Sequence, residues 1–339
     1  MTFNKQWCVG ARPTGKPKLS DFLYKESPIR APEAGEVLLE TLYLGIAPVM
    51  RMYMMNHPMS NEPDLDIGDV IHGRGVARVL ESHHSDYEAG DIVQGQLGWQ
   101  THKVSKMTTR ERFLNVKHHE LSYAHSVRIL SMTGLTAYTG FLDQGQPQKG
   151  DMVVVSGAAG GVGHIVVQMA KILGCRVIGI AGGPEKCAIV KGLGADAMID
   201  YKADDVPAKL SELCPDGINV YFDNVGGEIL EACLENLAYN ARIVLCGSIS
   251  EYAREEKFGL KNYTKLRDAN AVMHGYFVYN YLDQFESCNA QLAAWIAAGQ
   301  LKPLIDQLDG FDKMPEALIG VYTGANVGTR CVKVKQDEA

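Results

Sequence analysis

The segment at residues 152–163 reads MVVVSGAAGGVG and decides the fold. Its first half has the β-branched composition of a buried strand, and a glycine-rich turn follows it. Where such a turn leads into a helix, unpaired backbone N–H groups and the positive end of the helix dipole face a bound pyrophosphate. The spacing G-x-x-G-x-x-G predicts a dinucleotide site on Gly157, Gly160, Gly161, Val162 and Gly163. A tight turn that binds no ligand is the alternative.

The residues around this turn predict an alternation of strands and helices. After the turn, apolar residues recur at the helical period up to Leu173, and Gly174 is typical of a helix end. Helical segments alternate with the first five of six apolar runs, which predicts βαβ units around a buried parallel sheet. These runs are at 152–156, 176–181, 197–200, 218–223, 242–247 and 272–278.

The two ends of the chain have a different pattern. Short β-like runs occur at 37–44, 70–80, 91–96 and 112–116, and after Gly299 come a helical stretch at 315–322 and a strand-like run at 329–335. The 339 residues fit about two domains. We therefore expect an α/β chain in which residues 1–125, completed by 300–339, form a mostly β domain and residues 126–299 form a doubly wound parallel sheet.

Composition excludes several classes of protein. Lys and Arg number 33 against 40 Asp and Glu, so the net charge is −7 and no basic surface for nucleic acid or anionic membrane is expected. The eight cysteines are scattered without a Cys-x-x-Cys pair, which indicates reduced thiols. No signal peptide or membrane span is recognisable, so we expect a cytoplasmic protein with a small-molecule substrate.

The end of the second predicted strand indicates which cofactor binds. An NAD site needs a carboxylate there for the adenosine ribose, but residues 181–186 read AGGPEK. Gly182 and Gly183 leave space, and Lys186 brings a positive charge. This pattern favours NADPH over NADH, although Glu185 would repel a 2′-phosphate and Lys186 in a helix first turn could be merely solvated.

Further motifs carry a resemblance to a known family. These are MTGLTAY at 132–138, AAGGVG at 158–163, DYK at 200–202, YFDNVGGE at 221–228, CGSISEY at 246–252 and GANVG at 324–328. Together they resemble the zinc-independent medium-chain dehydrogenases/reductases, in the group of prostaglandin reductases, alkenal double-bond reductases and bacterial curcumin reductase-like enzymes. The resemblance covers nearly the whole chain.

The resemblance implies a GroES-like β domain, a Rossmann domain and an active site in the cleft. It implies that Lys186 and Tyr201 bind the 2′-phosphate and that Asn224 contacts the cofactor, although turn chemistry alone would explain Tyr201 and Asn224. The other residues that it assigns to the cofactor are Met132, Thr133, Gly182, Cys246, Ser248, Tyr252, Tyr276, Val278 and Asn326.

Zinc is not expected. Many members of the superfamily hold a catalytic zinc with an early Cys, a Gly-His-Glu and a later Cys, but the early segment here is GIAP at 45–48 and no Glu follows His72. Residues 94–117 contain no Cys for a structural site. We read His72 as a strand or turn residue.

Reduction of an activated double bond needs no Lewis acid. Hydride adds to the β-carbon of an α,β-unsaturated carbonyl, and the enolate oxygen needs a hydrogen-bond donor. Tyr252 is the candidate catalytic donor, because the family places a Tyr in the matching position. A surface or packing role is the alternative for a Tyr in a polar loop.

A methionine-rich segment near residue 50 is the candidate wall of the substrate site. Met50, Arg51 and Tyr53 match a family pattern and lie in a segment that also holds Met52, Met54, Met55 and Met59, which suits varied apolar substrates, although dense Met is also ordinary packing. An NADPH quinone oxidoreductase and a non-catalytic NADPH-binding protein are the alternatives. By analogy, the last strand of the sheet predicts a homodimer.

Overall fold

The computed structural model describes residues 3–57, 62–117 and 120–335. Contacts within them divide the chain into two units. The β unit contains the residues up to Arg128, Ile305–Asn326 and the residues from Arg330 onward. The Rossmann unit contains Ile129–Leu304 and Val327–Thr329.

The β unit is built on antiparallel strands. Its N-terminal elements are β1 (Phe3–Val9), β2 (Phe22–Pro28), β3 (Val37–Gly45), α1 (Val49–Met54), β4 (Arg74–Ser82), β5 (Ile92–Gln96), β6 (His102–Ser105), β7 (Leu114–Asn115) and α2 (Tyr123–Val127). β1 and β2 form a separate hairpin, and β3 pairs with β4 and β6. The predicted run 70–80 is displaced, because the strand covers Arg74–Ser82 and Val70 makes only an isolated bridge to Cys8. The predicted run 112–116 was too long, because only Leu114 and Asn115 pair with β5.

The Rossmann unit alternates strands and helices. Its first half contains α3 (Met132–Thr139), β8 (Met152–Ser156), α4 (Gly163–Ile172), β9 (Arg176–Ala181), α5 (Pro184–Gly192), β10 (Ala197–Asp200) and α6 (Val206–Leu213). Its second half contains β11 (Ile218–Asp223), α7 (Gly227–Leu234), β12 (Leu237–Leu245), α8 (Ile249–Tyr252), α9 (Lys265–Asp268), β13 (Val272–Gly275) and α10 (Phe285–Ala297). A π-helix at Gly140–Gln144 and a 3₁₀-helix at Val278–Gln284 complete it.

The six strands are parallel and run in the order β10-β9-β8-β11-β12-β13. This order reverses direction between β8 and β11, as in a Rossmann fold. Helices cover both faces of the sheet in such a fold, so the strand side chains on both faces are apolar. Val153, Ile180 and Val220, for example, are fully buried. The predicted fold class is therefore confirmed.

Two strand predictions were wrong at their ends. The run 242–247 starts earlier, at Leu237, and stops at Leu245, because the N–H groups of Cys246 and Gly247 donate to the Asp223 carbonyl instead of continuing the ladder. The run 272–278 leaves the sheet after Gly275, and Val278 begins a 3₁₀-helix.

The C-terminal elements return to the β unit. They are β14 (Ile305–Asp309), α11 (Met314–Thr323) and β15 (Thr329–Lys333), with a short 3₁₀-helix at Phe311–Lys313. β15 pairs antiparallel with β3, with Val332 opposite Leu44, and the sheet order becomes β14-β15-β3-β4-β5-β7. The last segment of the chain is thus part of the sheet that begins near residue 37.

Arg128 is a buried cation in the β unit. The residue is 9% exposed, and a Cβ on Gly45 would lie 2.9 Å from one of its terminal nitrogens, so that glycine makes room for it. Within the described ranges its Nε has no hydrogen-bond partner and no carboxylate forms an ion pair with the guanidinium. Burial lowers the pKa of Arg128 to about 10.

We expect Arg128→Met to stabilise the protein. A buried charge without a partner retains its desolvation cost, and an apolar side chain of similar length removes that cost. The free energy of unfolding should rise by about 1–2 kcal/mol in a urea titration followed by circular dichroism.

Arg330→Met is the matched control. This arginine is equally buried, but its Nε and a terminal nitrogen donate to Asp306 at 3.0 and 2.7 Å. Its replacement should lower stability by about 2–4 kcal/mol, because breaking a buried ion pair leaves a charge poorly compensated. A loss of stability in Arg128→Met would contradict the argument.

Candidate cofactor and active site

The glycine turn joins β8 to α4 and allows no side chain at its last position. Gly157 has φ +59°, a left-handed conformation that favours glycine. A Cβ on Gly163 would lie 2.3 Å from the Gly157 carbonyl oxygen, and one on Gly160 would lie 3.0 Å from the same atom. The Ala158 N–H donates to the Ile180 carbonyl, which holds the turn against β9. The turn therefore presents backbone at the N-terminus of α4, where Val162 is the N-cap residue.

Two buried polar residues of α4 hold distant backbone beside this turn. His164 bonds through Nδ1 to the Gly160 carbonyl at 2.8 Å, and its Nε2 accepts the Leu304 N–H at 3.2 Å. Gln168 exchanges hydrogen bonds with the backbone of Lys302 at 2.7 and 3.1 Å. The N–H of Gly328 donates to Ala159. Sequence reasoning missed His164 and Gln168, since both look like ordinary members of a helix.

Asn224 lies where the strand order reverses. Its Nδ2 donates to the Ser156 carbonyl at 2.8 Å, and its N–H donates to Ser156 Oγ at 2.9 Å. The ends of β8 and β11 are thereby joined, and Asn224 stands beside the glycine turn, 3.3 Å from the Cβ position of Gly157. The structure thus brings together two of the predicted cofactor elements at the switch point, where ligands of such sheets bind.

Asp223 is the buried centre of this region, and sequence reasoning gave it no role. Its Oδ1 accepts hydrogen bonds from Tyr221, Ser156 and the Val225 and Gly226 N–H groups, at 2.7–3.0 Å. Burial raises its pKa, and these hydrogen bonds oppose the shift. The sequence signal that could have identified Asp223 is its position as a charged residue at the end of a buried strand. The carboxylate fixes the turn that carries Asn224.

The predicted 2′-phosphate residues lie on two neighbouring turns. Gly182 and Gly183 follow β9, and Lys186 is half-buried in the first turns of α5. Tyr201 follows β10 and is 48% exposed. Its ring covers Gly182, because a Cβ there would lie 2.7–2.8 Å from the Tyr201 ring and hydroxyl. Lys186 and Tyr201 are therefore on adjacent turns at the carboxyl ends of their strands.

The loop after β12 carries Cys246, Ser248 and Tyr252. The Tyr252 hydroxyl accepts the Ser248 N–H at 3.2 Å and lies 3.3 Å from the Cβ position of Gly247. Burial is the largest cause of its raised pKa, so the phenol keeps its proton at neutral pH. Burial also raises the pKa of Cys246 to about 12, which makes its thiol unreactive. The loop thus holds a protonated phenol near the carboxyl ends of β11 and β12.

The remaining predicted cofactor residues are more dispersed, and one of them, Asn326, belongs to the β unit. Tyr276 is buried, and its hydroxyl shares a 2.7 Å hydrogen bond with Thr139. Val278 and Met132 pack against the cluster of Leu135, Phe285 and Cys288, and Thr133 is half-buried on α3. Asn326, half-buried, stands two residues before Gly328. Cofactor contact by these residues stays a prediction.

The predicted substrate residues lie on α1 in the β unit. Met50, Arg51 and Tyr53 are 4%, 7% and 8% exposed. Arg51 donates to the carbonyls of Gly15 and Pro13 at 2.8 and 3.1 Å, so its guanidinium holds a backbone loop. Substrate contact by these three residues stays a prediction, and Met59 lies outside the described residues.

His72 has contacts typical of a structural residue. Its Nε2 is 2.8 Å from the Pro63 carbonyl, and its ring packs edge-on against Tyr53. In the described part of the chain no group of three or more His, Cys, Asp or Glu residues could hold a metal ion. None of the helices described there is both long and apolar enough to cross a bilayer.

A glycine turn at the switch point of a doubly wound sheet, in a chain that also contains a separate β unit, defines a class of dinucleotide-dependent oxidoreductases. Two family models match this chain: "N-terminal domain of oxidoreductase" over residues 5–112 and "Zinc-binding dehydrogenase" over residues 161–297. The chain belongs to the medium-chain dehydrogenase/reductase family, in the zinc-independent group of prostaglandin, alkenal and curcumin reductases. The predicted family is confirmed.

Individual relatives are similar over their whole length. The chain is 36% identical to an NADPH-dependent curcumin reductase of Escherichia coli K12, covering 99% of this chain and 98% of the relative. It is 36% identical to a 2-alkenal reductase (NADP⁺-dependent) of Nicotiana tabacum, covering 98% of each. The crystal structure of CurA in complex with NADPH from Vibrio vulnificus matches with a TM-score of 0.92 and 35% identity, over 98% of this chain and 100% of that chain.

Proposed function

We propose that this protein is an NADPH-dependent reductase of the carbon–carbon double bond of α,β-unsaturated aldehydes and ketones. The observation that carries the proposal is the combination, in the Rossmann unit, of the glycine turn at the switch point with the protonated Tyr252 phenol on the loop after β12. The similarity to curcumin and alkenal reductases supports the same reaction class.

The chain's own residues fit NADPH. The turn from Gly157 to Gly163 would hold the pyrophosphate, since a Cβ at Gly163 would fill the turn itself. Lys186 and Tyr201 would bind the 2′-phosphate, and Asn224 would contact the cofactor beside the turn. The proposed cofactor set is completed by Gly160, Gly161, Val162, Gly182, Cys246, Ser248, Tyr252, Tyr276, Val278, Met132, Thr133 and Asn326.

Tyr252 is the proposed catalytic donor. Bound NADPH supplies the hydride for the β-carbon, and negative charge then develops on the carbonyl oxygen of the substrate. A hydrogen bond from the Tyr252 hydroxyl to that oxygen would stabilise the enolate. The Ser248 N–H donates to the phenol oxygen, so this hydrogen bond does not use the hydroxyl proton. Protonation of the α-carbon is left to solvent.

We propose that residues 1–125 with 300–339 form the substrate domain and that residues 126–299 bind the cofactor. Met50, Arg51 and Tyr53 on α1 would line the substrate site. The thioether of Met50 and the aromatic ring of Tyr53 are of a chemical type that suits an enal or enone chain.

Absorbance at 340 nm tests the proposal. NADPH or NADH is mixed with a series of 2-alkenals and enones, with a quinone, and in a separate reaction NADP⁺ is mixed with a simple alcohol. Consumption of NADPH with an enal or enone, much slower with NADH, is the expected result. Reaction with the quinone or the alcohol alone would overturn the proposed chemistry, and NADPH binding without turnover of any substrate would indicate a non-catalytic protein.

A homodimer is the proposed assembly. β13 is the outer strand of the parallel sheet, and its residue Val272 is 49% exposed. Such an edge offers backbone hydrogen-bonding groups that a second copy could pair across a two-fold axis. Light scattering should give twice the 37.1 kDa of one chain. A monomeric mass would refute the dimer.

The cytoplasm is the proposed location. All eight cysteines are free thiols, and six of them are buried, as suits a reducing compartment. Cell fractionation would place the protein in the soluble fraction, and recovery from an oxidising compartment would contradict this location.

A further inference from the structure

One carboxylate oxygen joins the two turns of the proposed 2′-phosphate site. Asp200 is the last residue of β10 and pairs in register with Ala181, the last residue of β9. Its Oδ1 accepts the N–H of Gly183 at 2.8 Å and the N–H of Lys202 at 3.0 Å. The first donor belongs to the turn after β9 and the second to the turn after β10. Asp200 therefore fixes the two turns relative to each other.

The geometry of both turns depends on this contact. Gly183 has φ +95° and is the N-cap residue of α5. The hydrogen bond to its N–H therefore fixes the start of that helix and, with it, the position of Lys186. On the other turn the Tyr201 N–H donates to the Ala181 carbonyl at 3.1 Å, and the Tyr201 ring covers Gly182. A shift of either turn would change the position of Tyr201 relative to Lys186.

The charge of Asp200 makes its position unexpected. The hydrogen bonds from Gly183 and Lys202 lower its pKa, so the group is a carboxylate at neutral pH. A carboxylate repels a nearby phosphate, because both are negatively charged. Here the negative charge lies against two backbone N–H dipoles, and the carboxylate orders the backbone of the site.

We propose that Asp200 is a positioning residue that determines the preference of this enzyme for a cofactor with a phosphate on the adenosine ribose. It would act through the backbone N–H groups of Gly183 and Lys202, which set the places of Lys186 and Tyr201. This inference rests on the proposed function, because that function supplies the phosphorylated cofactor. A phosphate would need both turns in place, because Lys186 and Tyr201 stand on different turns, whereas NADH has no phosphate there for them to bind.

The test compares dissociation constants for NADPH and NADH by isothermal titration calorimetry with the full chain. In Asp200→Ala the ratio of the NADH constant to the NADPH constant should fall about tenfold, because both backbone hydrogen bonds are lost. In Asp200→Asn the ratio should change less than about threefold, since the amide oxygen still accepts both N–H groups. Asp200→Ser, whose side chain is too short to join both turns, should behave like Asp200→Ala and serves if the alanine variant does not fold.

Asp196→Ala is the matched control. This aspartate precedes β10 at the opposite end of the same strand pair, and it accepts the Val177 N–H at 2.7 Å and an ion pair from Lys171. Its removal should lower stability in the same way but leave the NADPH to NADH ratio unchanged.

Three results would overturn the inference. Unchanged dissociation constants for both cofactors in Asp200→Ala and Asp200→Ser would show that the contact does not govern the preference. Equal weakening of both cofactors would show a general structural role. If the variants give either of these results while the wild-type protein reduces enals with NADPH, the inference about Asp200 fails and the proposed function stands. If the wild-type protein does not bind NADPH, the proposed function and the inference both fail.

Discussion

Gly163→Ala is expected to weaken NADPH binding about 100-fold or more. The added Cβ would lie 2.3 Å from the Gly157 oxygen and 2.9 Å from the Ala158 Cα and the Gly157 carbonyl carbon. These are backbone atoms, so no side-chain rotation relieves the clash, and the turn itself must move. A displaced turn loses the N–H groups and the helix N-terminus that hold the pyrophosphate. Fluorescence titration with NADPH measures the effect.

Two glycine variants serve as controls for this prediction. In Gly160→Ala the Cβ would lie 3.0 Å from one oxygen, so we expect a smaller loss of affinity than in Gly163→Ala. In Gly192→Ala nothing lies within 4 Å of the new Cβ, and that variant should bind NADPH normally. It should also be more stable by about 0.5–1 kcal/mol, because alanine favours the helical conformation. Normal NADPH affinity in Gly163→Ala would show that the turn does not hold the cofactor.

Local sequence signals were sufficient for most of the Rossmann sheet. The strands β8, β9, β10 and β11 have the predicted bounds, because each is a short apolar run between turn or helix signals. β12 begins earlier than predicted, and its pairing with β11 contains an irregularity between Ile218 and Val220. Asn240 there has φ +61°. Its first residues lack a β-branched pattern, so pairing with the neighbouring strand decides their conformation.

The site was predictable where a motif is contiguous in sequence. The glycine turn, Tyr201 and Asn224 each follow a recognisable strand, and parallel strands bring their carboxyl ends to one edge of the sheet. His164 could not be assigned, because its partner Leu304 is 140 residues away. Asp200 lies in the motif DYK at 200–202, but its role was not predictable from that motif because its backbone partner Gly183 belongs to another turn. The sequence alone does not reveal roles that depend on hydrogen bonds between residues so far apart in the chain.

The largest expected effect on turnover belongs to Tyr252→Phe. The variant keeps the ring and removes the only hydroxyl that we assign to the substrate oxygen. Loss of one donor to a developing oxyanion lowers kcat by about 10- to 1,000-fold. Because burial raises the pKa of Tyr252, the wild-type donor stays protonated through neutral and mildly alkaline pH, and kcat should not fall from this group until the pH exceeds the ordinary pKa of tyrosine. Steady-state kinetics with one enal across pH measures both effects.

The control for Tyr252→Phe separates chemistry from loop structure. Phenylalanine also leaves the Ser248 N–H without its phenol acceptor. If this disturbed the loop, the affinity for NADPH would fall as well. We expect the NADPH dissociation constant to change less than about threefold, which assigns the loss to the chemical step. Tyr239→Phe, at a tyrosine that is 72% exposed, should leave kcat unchanged. If Tyr252→Phe retains the wild-type kcat, the enolate is stabilised by another group and Tyr252 only packs the loop.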